Sequence, residues 1–176
     1  MSGPAGAPAD EAEPHDPAAE GAVVDDEAEY QPAERPAREL AVVLVFDVAV
    51  HLPTPHALVT LRELDAPNRR LEIPVGIPEA TALAHAWRGV TTPRPLTHEL
   101  FAEVLVRLGA TIDAVRITGR RAGVVLAEME LTSPRGHELV SCRPTDALTL
   151  AIRQGVPAPM LVDVRLFDAE GDVEPA

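Results

Sequence analysis

"HALVTLRELDAPNRRLEIPVGIPEATALAHAWRG", residues 56–89, contains the pattern on which the fold reading rests. Two Val-, Leu- and Ile-bearing runs, "HALVTLREL" (56–64) and "RRLEIPV" (69–75), flank "DAPN". Asp, Pro and Asn are turn formers, so the stretch predicts a β-hairpin. The second strand runs directly into "PEATALAHAWRG" (78–89). That segment has Pro at a first helical position and Gly where a left-handed cap is wanted, which predicts a short helix.

The same order recurs downstream. Strands are expected at "TIDAVRIT" (111–118), "VVLAEMEL" (124–131) and "HELVSCR" (137–143), separated by the turn-like "GRRAG" and "TSPRG". A helix follows at "PTDALTLAIRQG" (144–155), again running from Pro to Gly. A β-branched strand, "LAVVLVFDVAV" (40–50), precedes the first hairpin, and a last strand is expected near "MLVDVRLF" (160–167). Between the halves, "THELFAEVLVRLG" (97–109) sets Leu100, Phe101, Val104, Leu105 and Leu108 on one helical face, with Thr97 as N-cap candidate. This order predicts an α+β fold, a hairpin-rich sheet with short helices, and suggests an internal duplication of a strand–hairpin–helix unit.

Composition bounds the rest. Residues 1–38 are rich in Pro, Ala, Gly and acid with no apolar period, and are expected to be a disordered tail. The folded domain is expected over 39–167, with an acidic tail at 168–176. The formal net charge is −13, and all fifteen basic residues are arginine. Residues 1–39 carry eleven acids against two arginines, so most of the excess acidity sits at the front. A mildly acidic folded part gives no long-range steering toward nucleic acid, although a local arginine cluster can still bind phosphate. One cysteine, Cys142, excludes an intramolecular disulfide, and no Cys/His metal motif is present. No apolar run approaches the ~18 residues of a membrane span. The N-terminus lacks a secretion pattern, so a soluble cytoplasmic protein with no membrane partner is expected.

Three polar clusters stand at strand-to-helix junctions: Gly76 with Glu79; Arg94, Thr97, His98 and Glu99; and Arg143, Thr145 and Asp146. Structural roles account for each alone. Thr97 can cap a helix, and Glu79 and Asp146 lie in first turns, where a carboxylate gains about 0.3–1 kcal/mol from the helix dipole. Together the clusters fit phosphate chemistry. Helix N-termini and arginine forks hold anions, carboxylates activate water or hold a divalent ion, and histidine moves protons near neutral pH. Walker, GxGxxG, GxSxG and HExxH motifs are absent. His85, Trp87 and Cys142 read as packing or surface residues, and Arg120 and Arg121 as a solvated turn.

At the three clusters the sequence resembles the bifunctional nuclease (BFN) domain family of bacteria and plants. The family pattern runs approximately L-P-I-x-I-G-x-x-E-A, then R-P-L-T-H-D-L, then R-P-S-D-A-I-A-L-A. The matching stretches are "LEIPVGIPEA" (71–80), "RPLTHEL" (94–100) and "RPTDALTLA" (143–151). Glu72 stands where the family has proline, while Glu99 and Thr145 replace Asp and Ser conservatively. The resemblance implies a nuclease acting on RNA and DNA, self-associating as a dimer. The resemblance marks these positions, and the chemistry of the side chains assigns their expected roles: Arg94 and Arg143 are expected to bind phosphate. Glu79, His98 and Asp146 are expected to be catalytic, with Glu79 and Asp146 holding a divalent metal such as Mg. Gly76, Thr97, Glu99 and Thr145 are expected to support the helix starts. The rival expectation is a non-catalytic regulatory or assembly module, favoured by the net acidity and by the scarcity of aromatic side chains for stacking bases.

Overall fold

The chain is seen in a computed structural model that describes residues 39–51, 56–66 and 68–167. The expected tails at 1–38 and 168–176 lie outside the described residues. Among those described, seven strands and three α-helices follow in the order β1 (Leu40–His51), β2 (His56–Glu63), β3 (Arg70–Val75), α1 (Ile77–Trp87), α2 (Thr97–Arg107), β4 (Thr111–Arg121), β5 (Val124–Ser133), β6 (Gly136–Cys142), α3 (Pro144–Arg153) and β7 (Met160–Asp163).

The strands form one mixed sheet in the order β3-β2-β1-β7-β4-β5-β6. β1, β2 and β3 make an antiparallel meander that runs into α1, and β4, β5 and β6 make another that runs into α3. β7 joins the two, antiparallel to β1 and parallel to β4. The fold is therefore α+β, with both meanders in a single sheet.

Alternation along the strands decides which face is covered. Ala41, Val43 and Val45 of β1 are buried, while Val42, Leu44 and Phe46, each following one of them, are exposed. β2 and β3 continue the buried rows with Val59, Leu61, Leu71 and Ile73. A period of two sends successive side chains to opposite faces. On the buried side lie Leu83 of α1 and Leu148 of α3, both without solvent exposure. Each such side chain contributes roughly 1.5–3 kcal/mol by leaving water. α3 is the central helix and packs against both α1 and α2. Seven of its residues are buried, from Pro144 to Ala151, whereas α2 has none. Gln154 fixes the end of α3 to the start of β4, accepting from Ile112 N at 3.1 Å and donating to Ile112 O at 2.8 Å.

Three local expectations change. β4 extends through Arg121, so Arg120 and Arg121 are strand residues; the turn is Ala122–Gly123, with φ of 48° and 77°. Two successive left-handed residues match the twist of a tight hairpin better than a five-residue loop would. The last strand stops at Asp163, whose carboxylate accepts from Arg165 N at 3.1 Å and turns the chain into one 3₁₀ turn, Val164–Leu166. Thr97 is the first helical residue of α2, and Leu96 holds the N-cap position without a side-chain cap.

Candidate active site

Each helix carries a carboxylate at its third position: Glu79 in α1, Glu99 in α2 and Asp146 in α3. The dipole favours all three, but their partners differ. Glu99 reaches back to Leu96 N at 2.8 Å, accepts from the Thr92 hydroxyl at 2.7 Å and pairs with Arg153 at 2.9 Å. Glu99 and Arg153 are each only 12% exposed. Arg153 also donates to Val90 O at 2.8 Å. The group ties the 90–96 loop and the start of α2 to the end of α3. Thr97 is the first helical residue, so the capping position falls to Leu96, whose side chain has no polar atom to bond the free N–H groups of the first turn.

Glu79 and Asp146 converge on Arg143, the N-cap residue of α3. Arg143 Nε donates to Asp146 Oδ2 at 2.7 Å and Nη2 to Asp146 Oδ1 at 3.0 Å, a two-pronged pairing. Its Nη1 donates to Glu79 Oε1 at 3.0 Å, sixty-four residues away in sequence. His98, at the second position of α2, places Nε2 3.1 Å from Asp146 Oδ1. Glu79, Arg143, Asp146 and His98 thus form one continuous chain drawn from three helix starts.

Gly76 is explained by this geometry. Its φ of −70° suits any residue. The Glu79 carboxylate, however, folds back into the space that a Cβ at position 76 would fill. The glycine leaves Glu79 room to stay on Arg143.

Burial acts first on Asp146 and pushes its carboxyl up. The hydrogen bonds from Arg143 and His98, with their charges, outweigh it and hold the group below its ordinary value. The same pairing raises the Arg143 guanidinium further. Glu99 is held down mainly by the Leu96 N–H and the Thr92 hydroxyl. Cys142 moves the other way, to about 11, because of burial and then the neighbouring Asp146 and Glu128 charges.

Three hollows meet at Arg143, whose side chain remains 64% exposed. One, about 470 Å³, lies between α1 and the start of α2 and is lined by Glu79, His85, Thr97, His98 and Arg143. A second, about 400 Å³, is bounded by Gly76, Glu79, Gly123, Arg143 and Thr145. The third, about 510 Å³, lies between α2 and strands β5 and β6 and is almost wholly apolar apart from its His98, Arg143 and Asp146 edge.

Of the residues expected from sequence, Glu79, His98, Arg143 and Asp146 come into direct contact. Gly76, Thr97 and Thr145 line the surrounding hollows, and Glu99 holds the scaffold behind them. Arg94 is exposed in the loop before α2 and lines none of the three hollows. Sequence reading passed over three neighbours. His85 faces the 470 Å³ hollow, with Nδ1 buried and unbonded among the described residues. The helical spacing Pro78, Thr81, His85 could have shown that it lies on the face that lines this hollow. Phe101 and Cys142 line the apolar hollow. Phe101 is 46% exposed, so the few aromatic residues include one set at the site.

Residues 59–171 match the bifunctional nuclease domain. The chain belongs to the bifunctional nuclease domain family. The matched span contains all four residues of the Arg143 chain. An uncharacterized protein of Mycobacterium tuberculosis, found in two strains, is 36% identical over 115 residues, covering 65% of this chain and 68% of the relative. Bifunctional nuclease 2 of Oryza sativa subsp. japonica is 30% identical over 125 residues, covering 69% of this chain but 38% of that protein. Among the described residues of this bifunctional nuclease domain protein, no helix is long and apolar enough to cross a membrane.

Proposed function

We propose that this chain hydrolyses phosphodiester bonds in RNA and DNA. The observation that supports this most directly is the His98–Asp146–Arg143 contact: an imidazole oriented by a carboxylate, beside an exposed guanidinium. Family membership supports the same reading. The exposed side of Arg143 binds the phosphate. Glu79 and Asp146 fix its guanidinium plane from behind. Asp146 accepts from His98 Nε2, which leaves Nδ1 as the acceptor nitrogen. His98 Nδ1 takes a proton from water as the water oxygen bonds to phosphorus. The P–O ester bond breaks, the leaving oxygen takes a proton from solvent to become a hydroxyl, and the His98 imidazolium returns its proton to solvent. General base catalysis of this kind contributes about 10²–10⁴-fold.

The acidic pair was also expected to hold a divalent ion. Among the described residues, no three His, Cys, Asp or Glu side chains stand close enough to hold a metal. Glu79 and Asp146 each direct a carboxylate oxygen to Arg143. Glu79 and Asp146 are the residues that would hold a divalent ion such as Mg, with substrate phosphate and water completing its shell; the steps above are written for the side chains alone.

A specific observation favours the non-catalytic alternative. Arg143 already faces two carboxylates, so with neutral His98 the cluster carries one net negative charge before any phosphate arrives. As a fixed ion-pair network it would lock the three helix starts of a regulatory or assembly module. Purified protein incubated with RNA and single-stranded DNA, with magnesium and with EDTA, separates the readings. Hydrolysis is expected in wild type and is expected to fall at least about 100-fold in His98→Ala and Arg143→Ala. Equal trace cleavage by all three would leave only the module.

Self-association belongs to the same proposal. Val42, Leu44 and Phe46 of β1 are exposed apolar residues on the sheet side away from the described helices, of the kind that pairs subunits. Light scattering is expected to give twice the 18.7 kDa chain mass.

A further inference from the structure

The apolar hollow beside Arg143 has no part in the mechanism above, yet it opens from the same charged edge. Its walls include Leu100, Phe101 and Val104 of α2, with Met129, Val140 and Cys142 across from them. Its volume is about 510 Å³, well above what one planar heterocycle occupies. Phe101 is 46% exposed and stands on the outermost helix, which has no buried residue. Arg143 and His98 form the edge of this hollow and also line the 470 Å³ hollow. A ligand that puts an anion on Arg143 therefore has an apolar slot directly beside it.

We propose that this hollow receives an unpaired nucleobase of the strand whose phosphate lies on Arg143, and that the site is accordingly selective for single-stranded nucleic acid. The inference rests on the nucleic-acid reading above and adds the substrate class. A nucleotide has the required chemistry: a phosphate anion joined through a sugar to a flat, largely apolar ring. An aromatic side chain stacks on any base face without reading its edge. The walls of the hollow offer almost no polar group to read a base edge, so recognition is tolerant of sequence. In a duplex the bases are paired and stacked, and one must leave the stack before it can enter. The guanidinium at the edge supplies charge complementarity to the strand and excludes a purely apolar occupant as the best fit.

The test uses the full chain and four fluorescent probes, read by anisotropy and by cleavage: a twelve-nucleotide DNA strand, the same strand with every base removed, its duplex, and the RNA strand. The single strands that carry bases are expected to bind at least about tenfold tighter than the abasic strand and the duplex. Phe101→Ala is expected to abolish that difference, and Phe101→Trp to retain it. Arg143→Ala should weaken every probe. Equal binding of abasic and base-bearing strands overturns the pocket, as does a preference that survives Phe101→Ala or no binding of any probe. Base-dependent binding without cleavage overturns the hydrolase reading and leaves the pocket standing. Cleavage indifferent to bases and to Phe101 does the reverse.

Discussion

His98 Nε2 and Asp146 Oδ1 lie 3.1 Å apart although forty-eight residues separate them in the chain. Asp146 is also held by Arg143 in a two-pronged pair. One carboxylate therefore sets the direction of both the imidazole and the guanidinium, and a single substitution there disturbs both.

Asp146→Asn keeps the shape but removes the charge. It is expected to lower kcat/KM by about 10²–10³-fold, because His98 loses its fixed tautomer and Arg143 loses one prong of its pair. The pair is partly exposed, so the stability cost is expected to stay near 1 kcal/mol or below. Steady-state kinetics with thermal melts of the same preparations check both numbers. A stability loss large enough to account for the missing activity would rule out the positioning role.

The same carboxyl gives the site a pH signature. Its folded value lies below the ordinary 3.8. A depressed carboxyl contributes stability above its unfolded value, and that contribution is lost as pH falls through the folded value. Wild type is therefore expected to exceed Asp146→Asn in Tm at about pH 5, by a margin that closes as pH falls below about 4. A margin that widened on acidification would have the wrong sign for this pairing.

Gly76→Ala separates fold from site. No backbone strain is introduced at φ −70°, and alanine restricts the unfolded chain, so Tm is expected to hold or rise slightly. The added Cβ displaces the Glu79 carboxylate. Affinity for a phosphate-bearing strand is then expected to change as it does in Glu79→Gln. Unaltered affinity in Gly76→Ala beside a clear change in Glu79→Gln would show that the carboxylate can find Arg143 by another route.

Glu99→Gln acts behind the site. It leaves Arg153 largely enclosed without its anion and loosens the Leu96 and Thr92 bonds. Tm is expected to fall further than in Asp146→Asn, because the charge left behind has less water around it. Calorimetry on the two variants decides the order.

Cys142 provides a probe of the apolar hollow. With its thiol raised to about 11, alkylation by iodoacetamide is expected to be slow at pH 8 and to climb through pH 10–11. Fast reaction at pH 8 would contradict the burial of this sulfur.

Much of this protein was legible from local signals. The Pro-to-Gly spans marked α1 and α3 to within two residues at each end, and the short apolar runs marked the strands. The Arg143–Asp146 contact was within reach of the spacing, since an N-cap side chain and the third helical residue are neighbours. Arg94 and Arg143 look alike in sequence, each followed by Pro and then a helix. Only Arg143 stands at the N-cap itself; Arg94 lies three positions before α2, beyond that geometry.

The sequence by itself determined the elements, their order and the three polar helix starts, because turn, cap and alternation preferences act over a few residues. The tertiary structure alone decided that β7 joins the two meanders and that Glu79 shares Arg143 with Asp146. It also decided that Glu99 becomes scaffold while His98, one residue before it, faces the site. Those outcomes depend on strand pairing and helix packing across tens of residues. Each guanidinium can donate to several carboxylates, and its position in the folded chain selects which ones it meets.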